Sequence, residues 1–361
     1  MKKFQVLLLL LLAIVGVKAQ EITSADQKAN KSFADKLVFK KVIIEDDDFH
    51  IWGASPIWGN DGRIHVFTSR MPIEDNKQTQ YGFNHWYATS EIAHYVADQV
   101  EGPYEYVKTL LKPGQAKEGA WNTGAQHNPF ITKIDDVFVL LYVSNASTIS
   151  NRNASSFRIG MMKTKDLNGS WEDCGYVLSA PAEDDTLAWS YPLRAAGRGV
   201  DNPTLLHHPN GKFYLYYRVK WKGLEGDNTY VVAIADKLEG PYIHGQKRLI
   251  NNIRYIEDPY VFMEGNTVCM LVTDNYRNKG LLLRSKDGLS FDFEQAEEGF
   301  HVMEQYIDKN IVEQAANYRH PKFERPQLLI KDGKPTHLFA PGGCNINNGP
   351  GTCCYLLEIV E

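Results

Sequence analysis

The apolar residues of this chain fall in strand-length runs separated by turns, and one stretch shows the unit plainly. The acidic pair Glu257-Asp258 meets Pro259, a short apolar strand follows over 260–262, Glu264-Gly265-Asn266 makes a turn, and a second apolar strand runs over 267–272. Proline has no backbone N–H, so it suits the first residue of a strand better than its interior. The acidic pair therefore stands at the mouth of a strand, where side chains can point into a cavity. The unit occurs five times: Ala54-Ser55-Pro56, His127-Asn128-Pro129, Asp201-Asn202-Pro203, Glu257-Asp258-Pro259 and Glu324-Arg325-Pro326. Each copy leads to a turn (Asn60-Asp61-Gly62, Asp135-Asp136, Pro209-Asn210-Gly211, Glu264-Gly265-Asn266, Lys331-Asp332-Gly333) and then to an apolar or aromatic strand, at 64–67, 137–143, 213–217, 268–272 and 337–339.

The prolines are 73, 74, 56 and 67 residues apart, longer than the about 40–45 residues of a WD-type blade but suited to four-stranded blades with long loops. A second marker recurs downstream: Glu101-Gly102-Pro103-Tyr104 after copy one, Asn168-Gly169-Ser170-Trp171 after copy two and Glu239-Gly240-Pro241-Tyr242 after copy three. Ahead of two of these lie short alternating runs, 158–162 and 230–235, which read as third strands. The expected fold is all-β, a five-bladed β-propeller with a short N-terminal arm; two stacked β-sandwiches are the alternative. The first residues look like an export signal over 1–19: Lys2-Lys3, an apolar run over 6–15 too short to span a bilayer as a stable helix, and Val17-Lys18-Ala19 before Gln20. The polar stretch 20–40 is expected to be the arm and 41–361 the propeller, in a periplasmic or secreted protein with no membrane insertion.

Net charge is −5 with no basic block, so nucleic acid is not an expected partner. Aromatic residues make up 12 %, including 19 Tyr and 7 Trp, and flat rings stack on the C–H faces of sugars. Of five cysteines, Cys174 and Cys269 read as small buried hydrophobes. Cys344, Cys353 and Cys354 cluster near the C-terminus, and export permits a disulfide between Cys344 and one of the other two. No His follows at the ligand spacing of a zinc site.

The innermost strands of a propeller start around one axial channel, so the residues before the five prolines are expected to converge. Two before the proline stand Ala54, His127, Asp201, Glu257 and Glu324; one before it stand Ser55, Asn128, Asn202, Asp258 and Arg325. Crowded carboxylates raise each other's pKa, which lets one stay protonated as an acid while another stays ionised. Asn-Pro and Asp-Pro units also start turns by bonding local backbone, an alternative that does not extend to Glu257 and Glu324. The pair His207-His208 precedes a Pro-Asn-Gly turn and reads as surface.

With these motifs the chain resembles the five-bladed propeller glycoside hydrolases of families 43 and 117, over nearly the whole mature chain as a pattern of blades. The resemblance implies that Glu257, in Ile256-Glu257-Asp258-Pro259, is the general acid. It implies that Asp201, in Val200-Asp201-Asn202-Pro203, tunes that acid, offset by one residue from the family's place. It also implies a general base immediately before the blade-one proline, where this chain has Ser55. Asp258, Glu324 or the run Asp46, Asp47, Asp48 (followed by His50 and Trp52) would then activate water. The expected function is an exported, exo-acting, inverting glycoside hydrolase on plant or algal polysaccharide fragments. Trp52, Ser55, Trp121, His127, Asn128, Asn202, Arg218 and Arg325 would grip the sugar. The alternatives are a carbohydrate-binding propeller without catalysis, and a phosphorylase or lyase on the same scaffold. No cofactor is required by this reading; the hard oxygen ligands of the channel are compatible with a structural Ca2+.

Overall fold

The computed structural model describes residues 31–79, 82–151, 157–180, 199–220, 228–245, 247–250, 256–315 and 321–360. The expected signal at 1–19 and the arm as far as residue 30 lie outside them. Five four-stranded antiparallel sheets form the blades of a β-propeller. Blade one runs Phe49–Trp58, Ile64–Pro72, Glu91–Ala97 and Glu105–Leu111 from the axis outward. Blade two comprises Gln126–Ile134, Val137–Ser144, Arg158–Thr164 and Glu172–Leu178. Blade three comprises Asp201–His207, Phe213–Lys220, Asn228–Ala235 and Ile243–His244. Blade four comprises Ile256–Glu264, Thr267–Asp274, Lys279–Ser285 and Glu297–Phe300.

Blade five takes three strands from the C-terminal end, Gln327–Lys331, Lys334–Pro341 and Cys354–Ile359, and its outermost strand from Leu37–Ile44. Leu37 pairs with Ile359 and Ile44 with Cys354, so the two ends of the propeller are stitched into one sheet. The propeller therefore begins before residue 41: Phe33 and Leu37, expected in the arm, are core residues.

The second strand of each blade is covered on both faces by neighbouring blades. That is why Val137–Ser144 and Thr267–Asp274 are continuous apolar runs rather than alternating ones. Outer strands such as Glu105–Leu111 meet solvent and turn polar. The repeated Gly-Pro-Tyr marker also has a local reason. Gly102 and Gly240 sit at φ +84° and +94°, which glycine tolerates, and Tyr104 and Tyr242 each donate a hydroxyl hydrogen bond to the carbonyl four residues back.

The cysteines are free thiols. The disulfide expected between Cys344 and Cys353 or Cys354 is not formed. Cys353 and Cys354 are adjacent on the chain and point to opposite faces, into two different core clusters. The Cys353 thiol instead points to the Cys344 carbonyl at 3.6 Å.

Candidate functional site at the propeller axis

Each innermost strand carries a β-bulge at its mouth, and the bulge defines which residues are equivalent. In blade two His127 pairs with Val143 and Phe130 with Leu141, so two residues oppose one. The same break falls between Asp201 and Thr204, between Glu257 and Tyr260, and between Trp52 and Ser55. The first bulged residue has a left-handed backbone: Asn128 at φ +52°, Asn202 at +51°, Asp258 at +59°, Arg325 at +42° and, in blade one, Gly53 at +58°. Asn, Asp and Gly accept that conformation readily, which explains why they precede the prolines.

Copy one is thereby corrected by two residues. Gly53 and Ala54, not Ser55 and Pro56, match the Asn-Pro and Asp-Pro units, and Trp52 matches His127, Asp201, Glu257 and Glu324. The place that the resemblance gives to a general base is occupied by glycine. A Cβ there would lie 3.0 Å from Arg325 Cδ and 3.2 Å from its Nε, so the arginine side chain fills the space. Ser55 aligns instead with Phe130, Thr204, Tyr260 and Gln327, one step deeper, where it is 1 % exposed. Its hydroxyl donates to Gln327 Oε1 at 3.0 Å and accepts from Ile131 N at 3.0 Å, joining blade one to blades five and two.

The bulged residues form a polar ring across the axis. Asn128 Nδ2 donates to Asn202 Oδ1 at 2.7 Å, Asn202 Nδ2 to Asp258 Oδ1 at 2.7 Å, and Arg325 Nη1 to Asp258 Oδ1 at 3.3 Å. Arg325, 0 % exposed, also donates to the Asn128 carbonyl at 2.9 Å. Asn128, Asn202, Asp258 and Arg325, expected to meet substrate or water, thus spend these bonds on one another, and every member is buried.

The layer in front of the ring holds Trp52, His127, Asp201, Glu257 and Glu324. Arg218, on the second strand of blade three, takes both Asp201 oxygens at 2.7 Å and reaches across to Glu257 Oε1. Glu257 Oε2 accepts from Asn275 Nδ2 at 3.0 Å; Lys322 donates to Asn275 Oδ1 and lies 3.8 Å from Glu324 Oε1. Both Glu257 oxygens accept hydrogens, the arrangement of a carboxylate rather than a carboxylic acid. Its side chain is 16 % exposed, against 2 % for Asp201, 7 % for Asp258 and 5 % for Glu324, so Glu257 is the carboxylate a ligand reaches first.

Glu257, Asp258 and Glu324 each offer an oxygen within 4.8 Å of the others. Burial raises Asp258 to about 6; Glu257 and Glu324 add to the shift, while Arg325 and Arg218 oppose it. The oxygen set is of the type that holds Ca2+, but Arg218, Arg325 and Lys322 already bring positive charge to it. Burial, with Arg325 and Arg218 nearby, pushes the neighbouring His127 down to about 3, so its ring is neutral.

The other side of the mouth is aromatic. Trp52 meets the edge of Phe83 at 5.6 Å, and Trp86 lies 4.6 Å from His127 and stacks on Phe157 at 5.3 Å. Trp121 belongs elsewhere: it stacks on Tyr142 and touches Tyr176, within the packing of blade two. Asp46 turns to Arg70, 3.8 Å away. Sequence reasoning missed Phe83, Trp86, Phe157, Asn275 and Lys322. Lys322 had a readable signal, two residues ahead of Glu324 in the repeat; the others sit outside the repeat, on segments that only the fold brings to the axis.

A scan against protein-family models found no match, and no curated protein matches the sequence. Solved structures do. The chain resembles a family 117 glycoside hydrolase from the marine bacterium Zobellia galactanivorans, with a TM-score of 0.62, 13 % identity and 91 % of each chain covered. A protein of unknown function from Dyadobacter fermentans gives 0.60 at 14 % identity, covering 90 % of this chain and 98 % of that one. A family 43 β-xylosidase/α-arabinofuranosidase from a compost metagenome gives 0.58 at 13 % identity, covering 89 % and 94 %. The fold is thus the five-bladed β-propeller found in glycoside hydrolases of families 43 and 117.

Proposed function

We propose that this protein is an exported glycoside hydrolase that removes sugar units from the ends of plant or algal polysaccharide fragments. The observation that carries the reading is the mouth itself: a reachable carboxylate, Glu257, fixed by Arg218 and Asn275 and facing a wall of indole and imidazole rings. The neighbours' fold supports it, since two are described as glycoside hydrolases. Export rests on the N-terminal pattern, with cleavage expected after Ala19.

In this reading Glu257 meets the glycosidic oxygen. Arg218, itself held by Asp201, keeps it in place, and Asp258, which burial lifts to about 6, offers an oxygen within 4.8 Å and supplies the proton that Glu257 passes on. Inversion needs carboxyl groups about 6.5–9.5 Å apart. Asp258 and Glu324 approach Glu257 within 4.8 Å, so they feed or orient the acid, and the water is activated from outside this cluster. A second reading, sugar binding without turnover, is favoured by Gly53 at the place of the base and by Arg218 on Glu257.

The deciding experiment measures reducing sugar released from xylo-, arabino- and galacto-oligosaccharides by wild type and Glu257→Gln. Turnover that collapses in the variant while sugar still binds supports the hydrolase. Binding without turnover in both proteins gives the binding module, and neither in the wild type sinks both.

A further inference from the structure

Blade one departs from the others between its second and third strands. Residues 73–79 and 82–90 leave the sheet, pair Gln78–Thr79 with Gly82–Phe83, form the single-turn helix Trp86–Thr89, and return. The excursion is tied down. Asn76, wholly buried, donates to the Pro72 carbonyl at 3.0 Å and to Thr89 Oγ1 at 2.8 Å, and its own carbonyl meets His50 Nε2 at 2.9 Å. Asn145 of blade two donates to the Tyr87 carbonyl at 3.0 Å.

On this frame Trp86 stacks almost parallel on Phe157, 9° between planes, and stands beside His127. Ser90 sets the His127 tautomer. Its hydroxyl hydrogen goes to the Gln126 carbonyl at 3.0 Å, so its oxygen accepts from His127 Nδ1 at 2.8 Å. Nε2 then carries a lone pair and has no protein partner among the described residues. The charged groups that act on the ring are Arg325 and Arg218, and with burial they keep it neutral far below physiological pH.

We propose that Trp86, backed by Phe157 and flanked by His127, forms a second sugar subsite, which takes an uncharged sugar unit next to the one held at the axial carboxylates. The sugar's C–H face lies on the indole and one of its hydroxyls donates to His127 Nε2. The inference rests on the carbohydrate reading above and adds chain length to it. Because the platform is already ordered, binding loses little freedom there.

The test is calorimetric titration of xylotriose, arabinotriose and galactotriose against xylose, arabinose and galactose. It uses wild type, Trp86→Phe and Trp86→Leu, the leucine keeping apolar packing on Phe157 without a flat face. The wild type is expected to bind its trisaccharide more tightly than the monosaccharide, and Trp86→Leu to lose on the order of tenfold for the trisaccharide alone. Trp86→Phe should retain part of the difference. Circular dichroism melting shows whether each variant is folded. Equal trisaccharide affinity in folded Trp86→Leu overturns the subsite while leaving the carbohydrate reading intact. Equal loss for both sugar lengths places Trp86 in the axial subsite and overturns the inference as well. No binding of any of the six sugars by wild type overturns both.

Discussion

Replacing Asp258 by Asn tests the charge balance of the axis. Among the described residues, the carboxylates Asp201, Glu257, Asp258 and Glu324 meet the cations Arg218, Arg325 and Lys322. Burial lifts Asp258 to about 6 from 3.8. A folded-state pKa above the unfolded value means that the protonated form stabilises the fold. That contribution is whole below about pH 4 and is lost as the pH rises through about 6. At 1.36 kcal/mol per unit, the gap is worth about 3 kcal/mol. Asparagine copies the protonated carboxyl. Its Oδ1 can go on accepting from Asn202 and Arg325, while its amide hydrogens face the carboxylates of Glu257 and Glu324, within 4.8 Å. Urea unfolding of both proteins at pH 4 and pH 7 should therefore give nearly equal stabilities in acid and a variant more stable by up to about 3 kcal/mol at neutral pH. Taking the difference between the proteins cancels every titrating group that does not interact with residue 258. Breaking a buried ion pair costs about 3–5 kcal/mol when the pair dominates. A variant destabilised by that much at pH 7 would show that the Arg325 contact, not the burial of the Asp258 carboxyl, governs the ring, and would refute the reasoning.

Other perturbations follow from the bulge register. Gly53→Ala should lower stability by about 2 kcal/mol in urea, from the left-handed backbone and contact with Arg325. Gly53→Asp should cost at least as much and give no gain in sugar release, because Arg325 occupies the space a carboxylate would need. Arg218→Met removes the guanidinium that binds both Asp201 oxygens and Glu257, and should cost about 3–5 kcal/mol at pH 7 by the same measurement. Ser55→Ala should cost about 1 kcal/mol and leave any sugar turnover unchanged, since Ser55 lies behind the polar ring. Removing residues 32–44 strips the outer strand from blade five, and gel filtration with circular dichroism should then show no folded monomer.

The sequence by itself determined the number of blades, the second strands and the turns, because each depends on local chemistry. A proline falls near the start of an innermost strand (two or three residues in, in blades two to four, rather than at its first residue), an Asn-Gly or Asp-Gly turn closes a hairpin, and doubly covered strands such as Val137–Ser144 are apolar. It also brought His127, Asp201, Glu257 and Glu324 to one layer, because those four copies keep the same bulge. Blade one was misread because its bulge is built on Gly53-Ala54 and carries no proline, while Pro56 two residues later imitates the mark. Only the tertiary structure separated the residue before each proline, which closes a buried ring, from the residue before that, which faces the mouth. A left-handed bulge rotates neighbouring side chains into different layers; the Asn, Asp or Gly at the bulge marks its place but not which neighbour faces the mouth. Tertiary structure alone also brought Trp86, Phe157 and Asn275 to the axis and Leu37–Ile44 to blade five. These contacts join segments far apart in the chain, and closure of the ring, not local preference, decides them.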